Sequence, residues 1–75
     1  MDASANMNAR KTLTLNGDPH DTDAGTVREL IEQLGYGSQA VAVEVNRELV
    51  PRKDHDRTEL REGDQIELVT LVGGG

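Results

Sequence analysis

The sequence predicts an α+β domain in which one helix packs on one face of a mixed, four- to five-stranded sheet. Strand-like runs precede and follow a single amphipathic helical pattern at residues 27–34, and strands on both sides of one helix are typical of this class. The chain has 75 residues, which is enough for one small domain. Because it contains no Phe or Trp, we expect Val, Leu and Ile to fill the core.

The first predicted element is a β-hairpin. Residues 11–16 alternate polar and apolar side chains, which is the pattern of a half-buried strand. Asn16-Gly17 follows, and both residue types tolerate the positive φ of a tight hairpin turn. The return strand at 18–22 is weakly apolar, and Pro19 places it at a sheet edge or near the strand start.

The helix carries signals at both ends. Thr26 and Glu29 have capping-box spacing, in which each side chain accepts a hydrogen bond from the other residue's backbone N–H. Gly35 is placed for a left-handed stop after residue 34. Between them, one apolar stripe at i, i+3, i+4 and i+7 predicts the buried face. Its members are Val27, Leu30, Ile31 and Leu34.

The second half of the chain predicts three more strands. Residues 40–45 are mostly apolar on both faces, which indicates a central strand. A turn at 46–48 leads to a short strand at 49–50. The highly charged stretch 52–59 is expected to be an exposed irregular loop or a single helical turn, with His55 interpreted as a solvated loop position. Gly63 supplies a turn before the last strand, 65–72.

A β-grasp arrangement is the simplest way to connect these elements, with the first and last strands parallel at the centre of the sheet. In the last strand, Ile66 and Leu68 share one face, while Val69 and Leu71 are available for the other. We expect residues 1–10 to be a disordered extension, 11–72 to be the domain and 73–75 to be a flexible glycine tail.

Composition excludes several functions. The formal net charge of −6 argues against a nucleic-acid-binding surface, and no apolar run approaches the roughly 20 residues that span a bilayer. The absence of cysteine excludes thiolate metal sites and cysteine nucleophiles, and is compatible with a reducing, cytoplasmic location. His20 and His55 have no neighbouring ligand pattern, so no metal site is expected. No nucleophile–base pairing or nucleotide-binding motif is present, so no catalytic residue is predicted.

The chain ends in Gly73-Gly74-Gly75, directly after a strand-like run. Glycine carries no Cβ and adopts positive φ freely, so such a tail can present a terminal carboxylate inside a narrow channel of another protein. The alternative is an ordinary frayed or artificial end. Because one helix can cover only one face of the sheet, Val69, Leu71 and Val72 are the predicted partner-facing residues. Each of them could equally be an ordinary core or edge residue.

Several segments, in this order and spacing, resemble the sulfur carrier proteins of thiamine biosynthesis, the ThiS family, which are ubiquitin-like β-grasp domains. The resemblance runs from about Leu13 to Gly75. Its segments are Leu15-Asn16-Gly17, the helix at 25–34, Val43-Glu44-Val45-Asn46, Val50-Pro51-Arg52, residues 63–69 and Val72-Gly73-Gly74-Gly75. One departure is His55, where the family usually has Trp, and this difference concerns the packing and partner contacts of that loop.

The resemblance implies a carrier protein and not an enzyme. The carboxylate of Gly75 would be adenylated by a ThiS-type activating enzyme, with ATP and magnesium bound by that partner and no cofactor bound by this chain. A sulfur-transfer protein would supply the sulfur of a thiocarboxylate at Gly75, and thiazole synthase would receive it. Gly74 leaves the acyl carbon unshielded, and Gly73 adds reach.

Three other functions compete with this one. The small subunit of molybdopterin synthase also ends in Gly-Gly, although Val45-Asn46 together with Val50-Pro51-Arg52 favours the thiamine carrier. A ubiquitin-like protein modifier would form covalent adducts with lysines. A regulatory β-grasp module would carry the glycines as an inert end, and loss of Gly75 would then change nothing.

Overall fold

A computed structural model describes residues 9–37 and 39–71 of the chain. These residues form five β-strands, one α-helix and a single turn of 3₁₀ helix. In chain order they are β1 (Lys11–Leu15), β2 (Asp18–Thr22), α1 (Val27–Gln33), β3 (Val41–Val45), β4 (Glu48–Val50), the 3₁₀ turn (Arg52–Asp54) and β5 (Gln65–Thr70). No helix among the described residues is long and apolar enough to cross a membrane.

The five strands form one mixed sheet in the order β2-β1-β5-β3-β4. The first and last strands pair in parallel at its centre, with Leu15 beside Ile66, and all other pairs are antiparallel. The strand that contains Pro19 lies at one edge, where its missing N–H costs no ladder hydrogen bond. The predicted β-grasp fold, with one helix on one face of a mixed sheet, is confirmed.

The core lies between α1 and one face of the sheet. Val27 and Leu30 are fully buried, as the helical stripe predicted, and Ile31 is 5% exposed. Every second residue of the central strands meets them, because side chains alternate between the two faces of a strand. The sheet residues of the core are Leu13, Val43, Ile66 and Leu68, and Ala24 and Leu60 complete it from the connections.

Both ends of α1 have side-chain or backbone caps. The Thr26 hydroxyl accepts a hydrogen bond from the Glu29 N–H at 3.2 Å, as predicted. The Glu29 carboxylate, however, accepts from the N–H of Gly25 at 2.7 Å, one residue before the cap. At the other end Gly35 has φ +91°, and Tyr36 N–H donates to the Ile31 carbonyl at 3.2 Å, which is a Schellman stop.

His55 corrects the prediction for the charged stretch. The 3₁₀ turn is the single helical turn that was expected, but His55 directly after it is only 8% exposed and is not a solvated position. Its Nε2 lies 3.1 Å from the Val50 carbonyl. A carbonyl can only accept, so Nε2 carries the proton. The His55 carbonyl in turn accepts from Arg28 N–H at 2.8 Å, so this residue joins the loop to α1.

Some predicted boundaries were wrong by one or two residues. Asn46 and Arg47 have φ of 52° and 71°, which makes a two-residue turn, so Glu48 belongs to β4 and not to the turn. The third strand begins at Val41, the helix ends at Gln33 and the last strand ends at Thr70. The predicted extension at 1–10 lies, apart from its last two residues, outside the described residues.

Candidate functional site

The face of the sheet opposite α1 is the candidate site. No element among the described residues packs on it, because the one helix is used on the other side. The register places Ala42 of β3 beside Val69 of β5 on this open face. The neighbouring pair Val43 and Leu68 points to the core instead. The sequence prediction therefore located Val69 on the correct side of the sheet.

The open face carries exposed apolar side chains. Val69 is 58% exposed and Leu71 is 53% exposed. Leu49 of the edge strand β4 is 66% exposed and pairs with Glu44, which also lies on this face. We call Ala42, Leu49, Val69 and Leu71 the open-face patch. Large apolar side chains grouped on one uncovered surface are typical of a protein-docking site.

Two carboxylates lie on the open face among the residues of the open-face patch. Glu44 and Glu67 are direct partners across the β3–β5 ladder. The Asn46 N–H bonds the Gln65 carbonyl at 2.7 Å, and the Leu71 N–H bonds the Ala40 carbonyl at 3.0 Å. Along an antiparallel ladder, residue pairs that are bonded through their backbones alternate with pairs that are not. These two bonds show that the backbones of Glu44 and Glu67 are bonded to each other, and the Cβ atoms of such a pair stand about 5 Å apart. The two acidic side chains therefore project side by side from the open face.

Two asparagines hold the ends of β5 in place. Asn16 and Asn46 each occupy the first position of a two-residue hairpin turn, with φ of 51° and 52°. The Asn16 side chain bonds both backbone groups of Leu68. The Asn46 Oδ1 accepts from Gln65 N–H at 3.0 Å. The strand that leads to the glycine tail is thus fixed by side chains from both neighbouring hairpins.

The glycine tail begins beyond the described residues. Leu71 is the last described position, and its bond to Ala40 continues the ladder one residue past β5. Val72, Gly73, Gly74 and Gly75 lie outside the described residues, so their predicted roles in docking and presentation stay predictions. The structure establishes that β5 is a central strand, and that Val69 within it and Leu71 directly after it precede the tail in sequence.

The opposite side of the domain has a shallow polar cleft of about 660 Å³ between α1 and the 3₁₀ turn. Its charged lining includes Arg28, Arg52 and Lys53, but also Glu32 and Asp56, and Arg28 is paired with Glu32 at 3.3 Å. Among the described residues no group of three or more potential metal ligands comes together. The cleft therefore offers no metal centre among the described residues, and its lining mixes both signs of charge.

Sequence reasoning missed half of the open-face patch. Leu49 was identified only as part of a short strand, and Ala42 only as part of a central one. The alternation of side chains along a strand would have identified both, because Leu49 and Ala42 are next to Val50 and Val43, which are buried on the helix side. The pairing of Glu44 with Glu67 needed the register between β3 and β5, which the sequence alone does not fix.

The sequence and the fold of this chain are both similar to those of one protein family. The sequence model of the ThiS family matches residues 10–75. A crystal structure of a thiamine biosynthesis protein (ThiS) from Geobacter metallireducens superposes with a TM-score of 0.69 at 38% sequence identity, covering 85% of this chain and 99% of that one. The fold and the open face define a ubiquitin-like β-grasp protein. The chain belongs to the ThiS family.

Two curated relatives differ in length. The sulfur carrier protein ThiS of Bacillus subtilis is 36% identical over 65 residues, which cover 84% of this chain and 98% of that protein. A thiazole synthase of Magnetococcus marinus is 47% identical over 64 residues, which cover 84% of this chain but 20% of that protein. The chain thus spans about a fifth of the length of that thiazole synthase.

Proposed function

We propose that this chain is a sulfur carrier of thiamine biosynthesis whose reactive group is the carboxylate of Gly75. Membership of the ThiS family over residues 10–75 carries the proposal. The open-face patch supports it, because a carrier needs a surface that positions its tail in a partner's active site. Val69 and Leu71 lie on that surface, along the strand that leads to the glycines.

The chemistry follows from the reactivity of a carboxylate, which is a poor electrophile until one oxygen becomes a good leaving group. An activating enzyme that binds ATP and magnesium adenylates Gly75 and releases pyrophosphate. Sulfur at the oxidation level of sulfide, delivered by a sulfur-transfer protein, then attacks the acyl carbon and displaces AMP, and the product is a thiocarboxylate. Gly74 and Gly75 suit this step, since neither residue has a Cβ that would shield the acyl carbon. The chain acts as a co-substrate and supplies no catalytic group.

Thiazole synthase is the proposed acceptor of the sulfur. Proteins named thiazole synthase in Magnetococcus marinus and Paramagnetospirillum magneticum contain a segment similar to this chain, at 47% and 39% identity. A carrier-like segment within the same polypeptide as a synthase supports a working contact between the two. We place the whole exchange in the cytoplasm, where a thiocarboxylate is not exposed to an oxidising environment.

Genetic complementation tests this function in a cell. A bacterial strain that lacks its own ThiS should grow without added thiamine when it expresses this chain. The same chain without Gly75 should not rescue growth, and an E48Q variant, changed at an exposed residue of β4, should rescue it fully. Rescue by the truncated chain would contradict the role of Gly75. Failure of the intact chain, when it is expressed and folded, would contradict the assignment to thiamine synthesis.

A further inference from the structure

The open face contains an electrostatic arrangement that the folded domain does not itself use. Glu44 and Glu67 face each other across the β3–β5 ladder. Like charges placed directly opposite on one face of a sheet repel and destabilise the pair. The ion pairs of the described residues join other carboxylates, and none includes Glu44 or Glu67. Nor does either side chain take part in a hydrogen bond among those residues.

The position of the pair ties it to docking. Leu49, Glu44 and Glu67 lie in one row across β4, β3 and β5, and the next row pairs Ala42 with Val69. A partner that covers Leu49 and Val69 must therefore cover both carboxylates as well. Removing an ionised carboxylate from water without a counter-charge is costly. A partner surface that is only apolar would fit this face badly.

We propose that thiazole synthase docks on the open-face patch and places a Lys or Arg side chain between Glu44 and Glu67. One cation there offsets one of the two negative charges, attracts both carboxylates and so outweighs much of their mutual repulsion, and is held by charge-assisted hydrogen bonds. The planar fork of Arg suits two acceptors set about 5 Å apart. This inference rests on the proposed function for the identity of the partner, since similar segments occur within thiazole synthases.

The arrangement makes an unusual prediction, because one substitution should move stability and binding in opposite directions. E67K turns the repulsive pair into an attractive cross-strand pair, so the free domain should gain thermal stability by a few degrees, that is, about 2–6 °C. The same change sets a cation against the partner's cation. Binding to thiazole synthase should weaken by about tenfold or more. Misfolding cannot explain a loss of binding in a more stable variant.

The matched control is E48K. Glu48 is an exposed residue of β4 that pairs with Val45, on the helix side of the sheet, so E48K makes the same change in net charge away from the open face. Affinity of each variant for the thiazole synthase of the same organism is measured by calorimetry at low and at moderate salt. We expect E48K to bind within about threefold of the unmodified chain, and E67K to lose both affinity and salt dependence.

Two contrary results are distinguishable. If E67K binds the synthase as tightly as E48K does, the cation between the carboxylates is wrong, while the proposed carrier function stands. If the unmodified chain does not bind the synthase at all, the docking proposal fails together with the choice of thiazole synthase as acceptor. Sulfur loading of Gly75 by an activating enzyme would still be tested separately, by mass.

Discussion

The side-chain amide of Asn16 bonds both backbone groups of Leu68, as a main-chain residue of a neighbouring strand would. Its Nδ2 donates to the Leu68 carbonyl at 3.0 Å, and its Oδ1 accepts from the Leu68 N–H at 2.8 Å. The backbone of β1 turns away after Leu15, so the side chain continues the ladder along β5 where the main chain cannot. The last strand is thereby held in the sheet on the side of β1 as it approaches the glycine tail.

Replacing Asn16 should therefore loosen the end of β5. In N16G the positive φ is still accommodated, so the variant isolates the two side-chain hydrogen bonds, and we expect a loss of about 1–3 kcal/mol in the free energy of unfolding. N16A should lose more, because alanine disfavours φ of 51°. Urea unfolding measures both, and hydrogen exchange should localise the change to the amide of Leu68. Unchanged stability in N16G would show that the amide contributes nothing.

His55 should be needed for folding stability. It is buried and bonds the Val50 carbonyl, so H55A leaves an unpaired carbonyl and a cavity, and we expect a loss of about 1–3 kcal/mol. The neighbouring Asp56 is exposed, and D56A should change stability by less than about 0.5 kcal/mol. Thermal unfolding of the two variants is the comparison. Equal stability of H55A and D56A would show that His55 contributes no more to folding than an exposed loop residue.

The open-face patch should matter for partners and not for folding. V69T keeps the β-branched shape of the side chain and replaces one methyl group by a hydroxyl. Because Val69 is 58% exposed, the free energy of unfolding should change by less than about 0.5 kcal/mol. Binding to thiazole synthase should weaken by about threefold or more, since a buried hydroxyl without a partner is unfavourable. Titration of both proteins with the synthase decides this, and equal affinities would exclude Val69 from the interface.

The sequence predicted what depends on local chemistry. Gly35 marked the helix stop, Asn16-Gly17 marked the first hairpin, and the stripe that includes Leu30 marked the buried face. The missed features depend on contacts between distant segments. His55 is buried because the 3₁₀ turn folds against α1, and no local pattern signals that contact. Asn16 was understood from its φ alone, since its bond to Leu68 spans 52 positions.

The candidate site likewise contains features that the sequence predicted and features that it missed. Alternation along the last strand placed Val69 and Leu71 on the open face correctly. The same alternation would have placed Leu49 there, because it neighbours the buried Val50, whereas Glu67 meets Glu44 only through the pairing of β3 with β5. Pairing partners in a sheet are set by the whole topology, so a single strand's pattern does not reveal them.

The proposed carrier role of Gly75 is tested by the intact mass of the chain after incubation with a ThiS-type activating enzyme, magnesium-ATP and a sulfur source. A chain lacking Gly75 is treated in parallel. We expect a mass gain equal to the replacement of one oxygen by sulfur in the full chain, and no gain in the truncated one. No gain in the full chain, with the enzyme shown to be active on another carrier, would contradict this role, and so would an equal gain in both chains.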